Sequence, residues 1–151
     1  MAFNYLGSKE ILKEYKIGFL CSRKVPAEII LKTYAWAIEQ RDKRVCVVSG
    51  FHSKIEKDVF HYLLKGTQSI IIVLARGMMN KLPVGIRRAL ENERLLIISQ
   101  CNDTVKRITR ETTYIRNKYI IENSDETYMP YISPGGQLEK ILNNIKYDCL
   151  T

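Results

Sequence analysis

No apolar run in this 151-residue chain approaches the roughly 20 residues that a membrane-spanning helix needs. The opening residues, Met-Ala-Phe-Asn-Tyr-Leu-Gly-Ser-Lys-Glu, lack the basic-then-apolar layout of a signal peptide, so a cytoplasmic protein with no membrane partner is expected. Cysteine is sparse and badly spaced for chemistry. Cys21, Cys46, Cys101 and Cys149 form no CxxC pair and have no nearby histidine, which argues against a zinc site or a disulfide framework. Only two histidines are present, and no Ser-His-Asp or Cys-His arrangement is suggested by spacing. No cofactor or metal is therefore expected. No linker, repeat or low-complexity segment divides the chain, so residues 1–151 read as one domain.

What the chain does have is a regular alternation of apolar runs and amphipathic stretches. Short β-branched runs occur at Ile17–Cys21, Val45–Val48, Ser69–Ala75 and Leu95–Ser99, with a weaker candidate at Thr127–Ile132. Helical periodicity fills the intervals: 8–15 behind Ser8, 27–42 after Pro26, Ser53 to Gly66, Pro83 to Asn92, 104–123 with a break allowed near Glu111 to Thr113, and 137–147. Trp36 reads as packing and His61 as a surface residue. This βα alternation with short connections predicts a doubly wound, mainly parallel α/β sheet of about five strands, covered by helices on both faces.

The segment from Val45 to Glu56 carries the most information. A continuous β-branched strand ends in Ser49-Gly50, and Ser53 with Glu56 three residues later reads as a capping box. A strand, a glycine turn and a helix N-terminus together make a ready anion site, because free N–H groups and the helix dipole point at the turn. An ordinary well-capped βα turn has the same sequence.

In doubly wound sheets, ligands bind beyond the C-terminal ends of the strands. The residues expected there are Ser22, Arg23, Lys24, Ser49, Gly50, His52, Ser53, Arg76, Gly77, Ser133, Gly135 and Gly136, with Lys54 beside them. Glycine for close approach, hydroxyl donors and arginine forks are what a phosphate site requires. Arg116 and Lys118, on the helix leading to the last βα unit, are expected to reach the same place. The net charge of +8, from 24 lysines and arginines against 16 acids, favours a polyanionic partner. Tyr128, Tyr131 and Phe51 are candidates for stacking on bases, with core packing the competing reading for each.

At these loops the chain resembles the DprA/Smf family of DNA-processing proteins, within the superfamily that also holds the Lonely Guy (LOG) nucleotide hydrolases. Ser22-Arg23-Lys24 is similar to the family's Gly-Ser-Arg-Lys loop, with Cys21 in place of glycine. Ser49-Gly50 matches the start of Ser-Gly-Leu-Ala-Arg-Gly-Ile-Asp, with His52-Ser53-Lys54 where the family has Ala-Arg-Gly. Val73-Leu74-Ala75-Arg76-Gly77-Met78 resembles Val-Leu-Gly-x-Gly-Leu, and Arg116-Asn117-Lys118 resembles Arg-Asn-Arg. The resemblance implies a Rossmann-like fold that binds the backbone of single-stranded DNA in a basic groove. It also implies a homodimer, and it leaves open a RecA-type recombinase as partner. The alternative is a LOG-like protein that binds or hydrolyses a small nucleotide. Pro134-Gly135-Gly136 is similar to the start of the LOG motif Pro-Gly-Gly-x-Gly-Thr-x-x-Glu, but the Gly-Thr pair is missing and Glu139 stands out of register with the catalytic Glu.

Overall fold

A computed structural model describes the backbone of residues 3–150 and the side chains of residues 3–146. The expectation for Cys149 lies outside the described side chains. The sheet has six strands in the order β1-β5-β4-β3-β2-β6, one more than expected. These are β1 (Asn4–Gly7), β2 (Lys16–Phe19), β3 (Cys46–Ser49), β4 (Ile70–Leu74), β5 (Leu95–Ser99) and β6 (Glu126–Tyr128). All neighbours are parallel except β1, which pairs antiparallel with β5, Asn4 opposite Ser99 and Gly7 opposite Leu96. The helices are α1 (Ala27–Asp42), α2 (Lys54–Leu64), α3 (Val84–Glu91), α4 (Arg110–Glu122) and α5 (Gln137–Leu150). No helix among the described residues is long and apolar enough to cross a membrane.

Strand side chains alternate between two cores. Val47, Ile70, Ile72, Leu95 and Ile97 pack on one face with Ala37, Val59, Leu63 and Ala89 from α1, α2 and α3. Val48, Ile71, Val73, Leu96 and Ile98 pack on the other with Ile120 of α4 and Leu138 and Ile141 of α5. Each buried aliphatic side chain contributes about 1.5–3 kcal/mol, which is why continuous apolar strands are stable only between two helical layers.

The chain thus winds one way from β2 through β5 and returns the other way to β6. The connection after β2 leaves toward the α1 face, and the connection after β6 leaves toward the α5 face. Their divergence opens a crevice at the strand C-termini. Close packing fixes one wall of it: a Cβ at Gly18 in β2 would come within 2.8 Å of Ile120 Cγ2 in α4.

Three local expectations need correction. Residues 8–15 hold only a 3-10 turn at Lys9–Lys13, and Ser8 makes no side-chain cap. Residues 104–109 are not helical. Gly77 N–H donates to Val105 O, and the helix begins only after Thr109, whose side chain caps Thr112 N–H in a reciprocal Thr109–Thr112 box. The strand expected at Thr127–Ile132 stops at Tyr128, because Pro130 cannot continue a hydrogen-bonded ladder.

Candidate functional site

The crevice is a cleft of about 940 Å³ between the ends of β2 and β3 and the N-terminal turns of α4 and α5. Nine of the fifteen expected site residues line it: Ser22, Arg23, Lys24, His52, Ser53, Arg116, Ser133, Gly135 and Gly136. Asn117, noted only within the Arg116-Asn117-Lys118 motif, also contributes, as do Arg110, Glu111 and Lys140, none of these three expected. Five cationic side chains, Arg23, Lys24, Arg110, Arg116 and Lys140, face two carboxylates, Glu56 and Glu111.

Arg116 is the centre of the site. Only 5% of its surface is exposed, yet no carboxylate lies within ion-pair distance of it among the described residues. Its Nε donates to Asn117 Oδ1 at 3.1 Å. Asn117 Nδ2 donates to Gln137 Oε1 at 3.3 Å, and Gln137 Nε2 donates to Arg110 O at 2.9 Å. This chain of amides ties the start of α5 to the start of α4. It engages the Nε edge of the guanidinium, and among the described residues neither Nη group has a hydrogen-bond partner. Burial and the neighbouring Arg23 lower its pKa, while Glu56 opposes them. A guanidinium stays protonated nonetheless. A buried cation without a counter-ion is costly to hold, and an anionic ligand would remove that cost.

The backbone donors expected to receive phosphate are already taken. His52 N–H and Ser53 N–H donate to Glu56 Oε1 at 3.0 and 3.1 Å, and Glu56 N–H donates to Ser53 Oγ at 3.4 Å. Phe51 N–H donates to the buried Ser49 Oγ. At the other wall, Gly135 N–H donates to Glu139 Oε1 at 3.3 Å and Gly136 N–H to Ser133 O at 3.0 Å. The starts of α2 and α5 therefore each carry a carboxylate of their own, while the start of α4 is capped by the Thr109 hydroxyl, which accepts from Thr112 N–H. Ser49 ends β3, is fully buried and does not line the cleft. Gly50 does not take the left-handed conformation; Phe51 does, with φ 49°. Ser22 Oγ accepts from Ser133 N–H at 2.8 Å and so joins the two walls.

The remaining expected residues fall elsewhere. Arg76 and Gly77 line a separate cavity of about 220 Å³ at the end of β4. Lys54 is 89% exposed and pairs with Asp58 at 3.4 Å, outside the cleft. Lys118 is half-buried on α4 and does not line the cleft. The expected stacking residues are spent on packing. Tyr128 stacks on Trp36 with ring centroids 4.2 Å apart, Phe51 packs on Phe60, and Tyr131 lies against the core. Cys21 lines the cleft wall, where burial and Glu56 push its thiol up to about 11, so it stays uncharged.

The arrangement defines a class: a Rossmann-like α/β domain with a cationic cleft at the point where the winding of the sheet reverses. Within that class its fold is that of the DNA processing protein A structures. DNA processing protein A from Helicobacter pylori matches with a TM-score of 0.74 at 16% identity, over 93% of this chain and 65% of that one. DprA from Streptococcus pneumoniae matches with a TM-score of 0.70 at 18% identity, over 93% of this chain and 51% of that one. The chain thus spans less than two thirds of either neighbour. No protein-family model matches it, and no curated protein does.

Proposed function

We propose that this domain binds the phosphodiester backbone of single-stranded DNA in the cleft between β2, β3 and the starts of α4 and α5. The observation that carries this reading is Arg116: a buried guanidinium without a counter-ion, aimed into a cleft rimmed by four more cations. Arg23 and Lys24 at the mouth would take the phosphate first, and Arg116 would hold it by paired hydrogen bonds. The likeness of fold supports this, since the H. pylori structure is described as revealing a single-stranded DNA binding mode. The LOG-like hydrolase alternative is not favoured. Glu139, the nearest acid to that motif, caps Gly135 instead of standing free. A homodimer, a RecA-type recombinase as partner and a cytoplasmic location extend the reading on resemblance alone.

The test is fluorescence anisotropy of a labelled single-stranded oligonucleotide at several salt concentrations. Affinity should fall with salt with a slope near −0.7 for each phosphate neutralised. Arg116→Ala and Arg23→Ala should each weaken binding by about 1–3 kcal/mol. Absence of binding, or binding unaffected by either substitution, overturns the proposal.

A further inference from the structure

The small cavity at the end of β4 lies outside the cleft and has a different balance of charge. Residues 76–81 line it from one side, and Val105 with Lys106 from the other. A close backbone contact holds the two sides together. Gly77 N–H donates to Val105 O at 2.8 Å, and a Cβ at residue 77 would come within 2.7 Å of Asn102 O and Asp103 Cα. The loop between β5 and α4 is thereby pressed onto the end of β4. That loop carries Lys106 to the cavity and Ile108 and Thr109 to the cleft, so it lines both. Arg76, Lys81 and Lys106 line the cavity, and no carboxylate does. None of the three cations has an ion-pair partner among the described residues. Asp103, the one acid of the loop, accepts from Asn4 Nδ2 at 3.3 Å and does not line the cavity.

Three cations around one small cavity, with no acid to offset them, set up a local positive potential that the fold itself does not use. β4 pairs with β3, whose end forms part of the cleft. Neighbouring strands lie about 4.8 Å apart, so the cavity follows the cleft by roughly one or two strand spacings toward β5. We infer that this cavity is a second phosphate site, which takes a further phosphodiester of the same nucleic-acid chain whose other phosphate is held at Arg116. This rests on the reading of the cleft as a phosphate site. Exposed cations hold a lone anion weakly. A phosphate tethered to one already bound in the cleft arrives instead at a high effective concentration, and linkage fills the second site. A ligand too short to cross the loop holds one site, and a longer one holds two. The partner chemistry is therefore a flexible polyanion with regularly spaced charges, not a mononucleotide.

The experiment measures the affinity of a ladder of oligothymidylates, from a dinucleotide upward, by competition anisotropy. In the wild-type protein affinity should step up at the length that reaches the cavity. The triple variant Arg76→Gln, Lys81→Gln, Lys106→Gln should lose that step, roughly tenfold in all at about twofold for each exposed charge contact. Its salt slope for long ligands should also become shallower by about 0.7 for the phosphate no longer neutralised. The dinucleotide should bind the variant as it binds the wild type, which also shows that the variant is folded. Arg76→Lys, which keeps the charge, should retain the step. A step that survives in the triple variant, or the absence of any step, overturns the second site and leaves the cleft standing through its dependence on Arg116. An equal loss at every length, the dinucleotide included, overturns it as well, because the three cations would then be acting on the cleft. No binding at any length overturns both readings.

Discussion

The guanidinium of Arg116 occupies the space that a side chain at Gly50 would need: a Cβ built on residue 50 would lie 2.4 Å from Arg116 Nη1 and 2.5 Å from Cζ. The glycine is required by a protein side chain crossing the turn, not by a phosphate approaching its backbone. Because the obstructing atoms are the far end of a long side chain, the guanidinium can shift without unfolding the sheet. Gly50→Val should therefore keep its circular dichroism spectrum and most of its stability but lose anion binding. In an Arg116→Ala background the same substitution should cost nothing further in affinity, a non-additivity that a double-mutant cycle reads directly.

Burial of Arg116 without a counter-ion predicts a trade between stability and binding. Arg116→Met, which keeps length and apolar contact but removes the charge, should raise the stability to urea by about 1 kcal/mol. It should weaken phosphate-ligand binding by about 1–3 kcal/mol at the same time. A loss of stability would show the guanidinium to be a structural piece of the core.

The amide chain from Arg116 through Asn117 and Gln137 to Arg110 O should matter for affinity through Arg116 alone. Gln137→Ala should weaken an oligonucleotide by about 0.5–1.5 kcal/mol, the worth of one hydrogen bond. That loss should vanish when Arg116 is already alanine. Additive losses would mean that Gln137 touches the ligand itself.

Glu56 caps α2, and its charge acts on Arg116 from beyond ion-pair distance. Glu56→Gln retains a carbonyl oxygen that can accept from His52 and Ser53 N–H but removes the charge. Affinity for an anionic ligand should rise several-fold, while stability should fall by about 0.5–1 kcal/mol as charge-assisted bonds become neutral ones. Isothermal titration and urea unfolding measure the two effects separately.

His52 supplies a pH dependence. Burial lowers its pKa, and Arg116, Lys57 and Arg23 lower it further against the opposing effect of Glu56. A folded-state pKa below the ordinary value means that the unfolded chain binds the proton more readily. Its contribution to stability is thus present above the ordinary histidine range and is lost as pH falls toward the folded-state pKa. A bound phosphate acts in the opposite direction, favouring the imidazolium. Binding should take up protons and tighten between about pH 7 and pH 5, and His52→Gln should flatten that profile. An identical profile in the variant would assign the effect elsewhere.

Much of this molecule is legible in its sequence, and the parts that are not share a cause. The four central strands coincide with apolar runs, of which β3, β4 and β5 are dominated by Val, Ile and Leu, and the Ser53–Glu56 capping box forms as written. β1 escapes notice because Asn4-Tyr5-Leu6-Gly7 has no alternation and is held by pairing with β5, some ninety residues later. The stretch 104–109 reads as helix because Val105 and Ile108 have helical spacing, but a bond from Gly77 N–H holds Val105 O in a loop. In the site, the cations were visible as residue types. The capping box already assigns the Ser53 N–H to Glu56, whereas the bond from Gly135 N–H to Glu139 carries no such signature in the sequence. Asn117 was visible only as part of the Arg116-Asn117-Lys118 motif, and Arg110 and Lys140 could not be found this way, since their place in the cleft depends on how α4 and α5 meet.

The bond from Ser133 N–H to Ser22 Oγ closes the cleft across 111 residues of chain. During synthesis, at about 5–20 residues per second, the second wall is made roughly 5–20 s after the first. Until then the nascent domain has Arg23 and Lys24 at the end of β2 but nothing opposite them. Most of the sheet can already be paired while the cleft does not yet exist. Any grip that needs both walls, Arg23 with the turn at Ser133, therefore becomes possible only after that turn has been made.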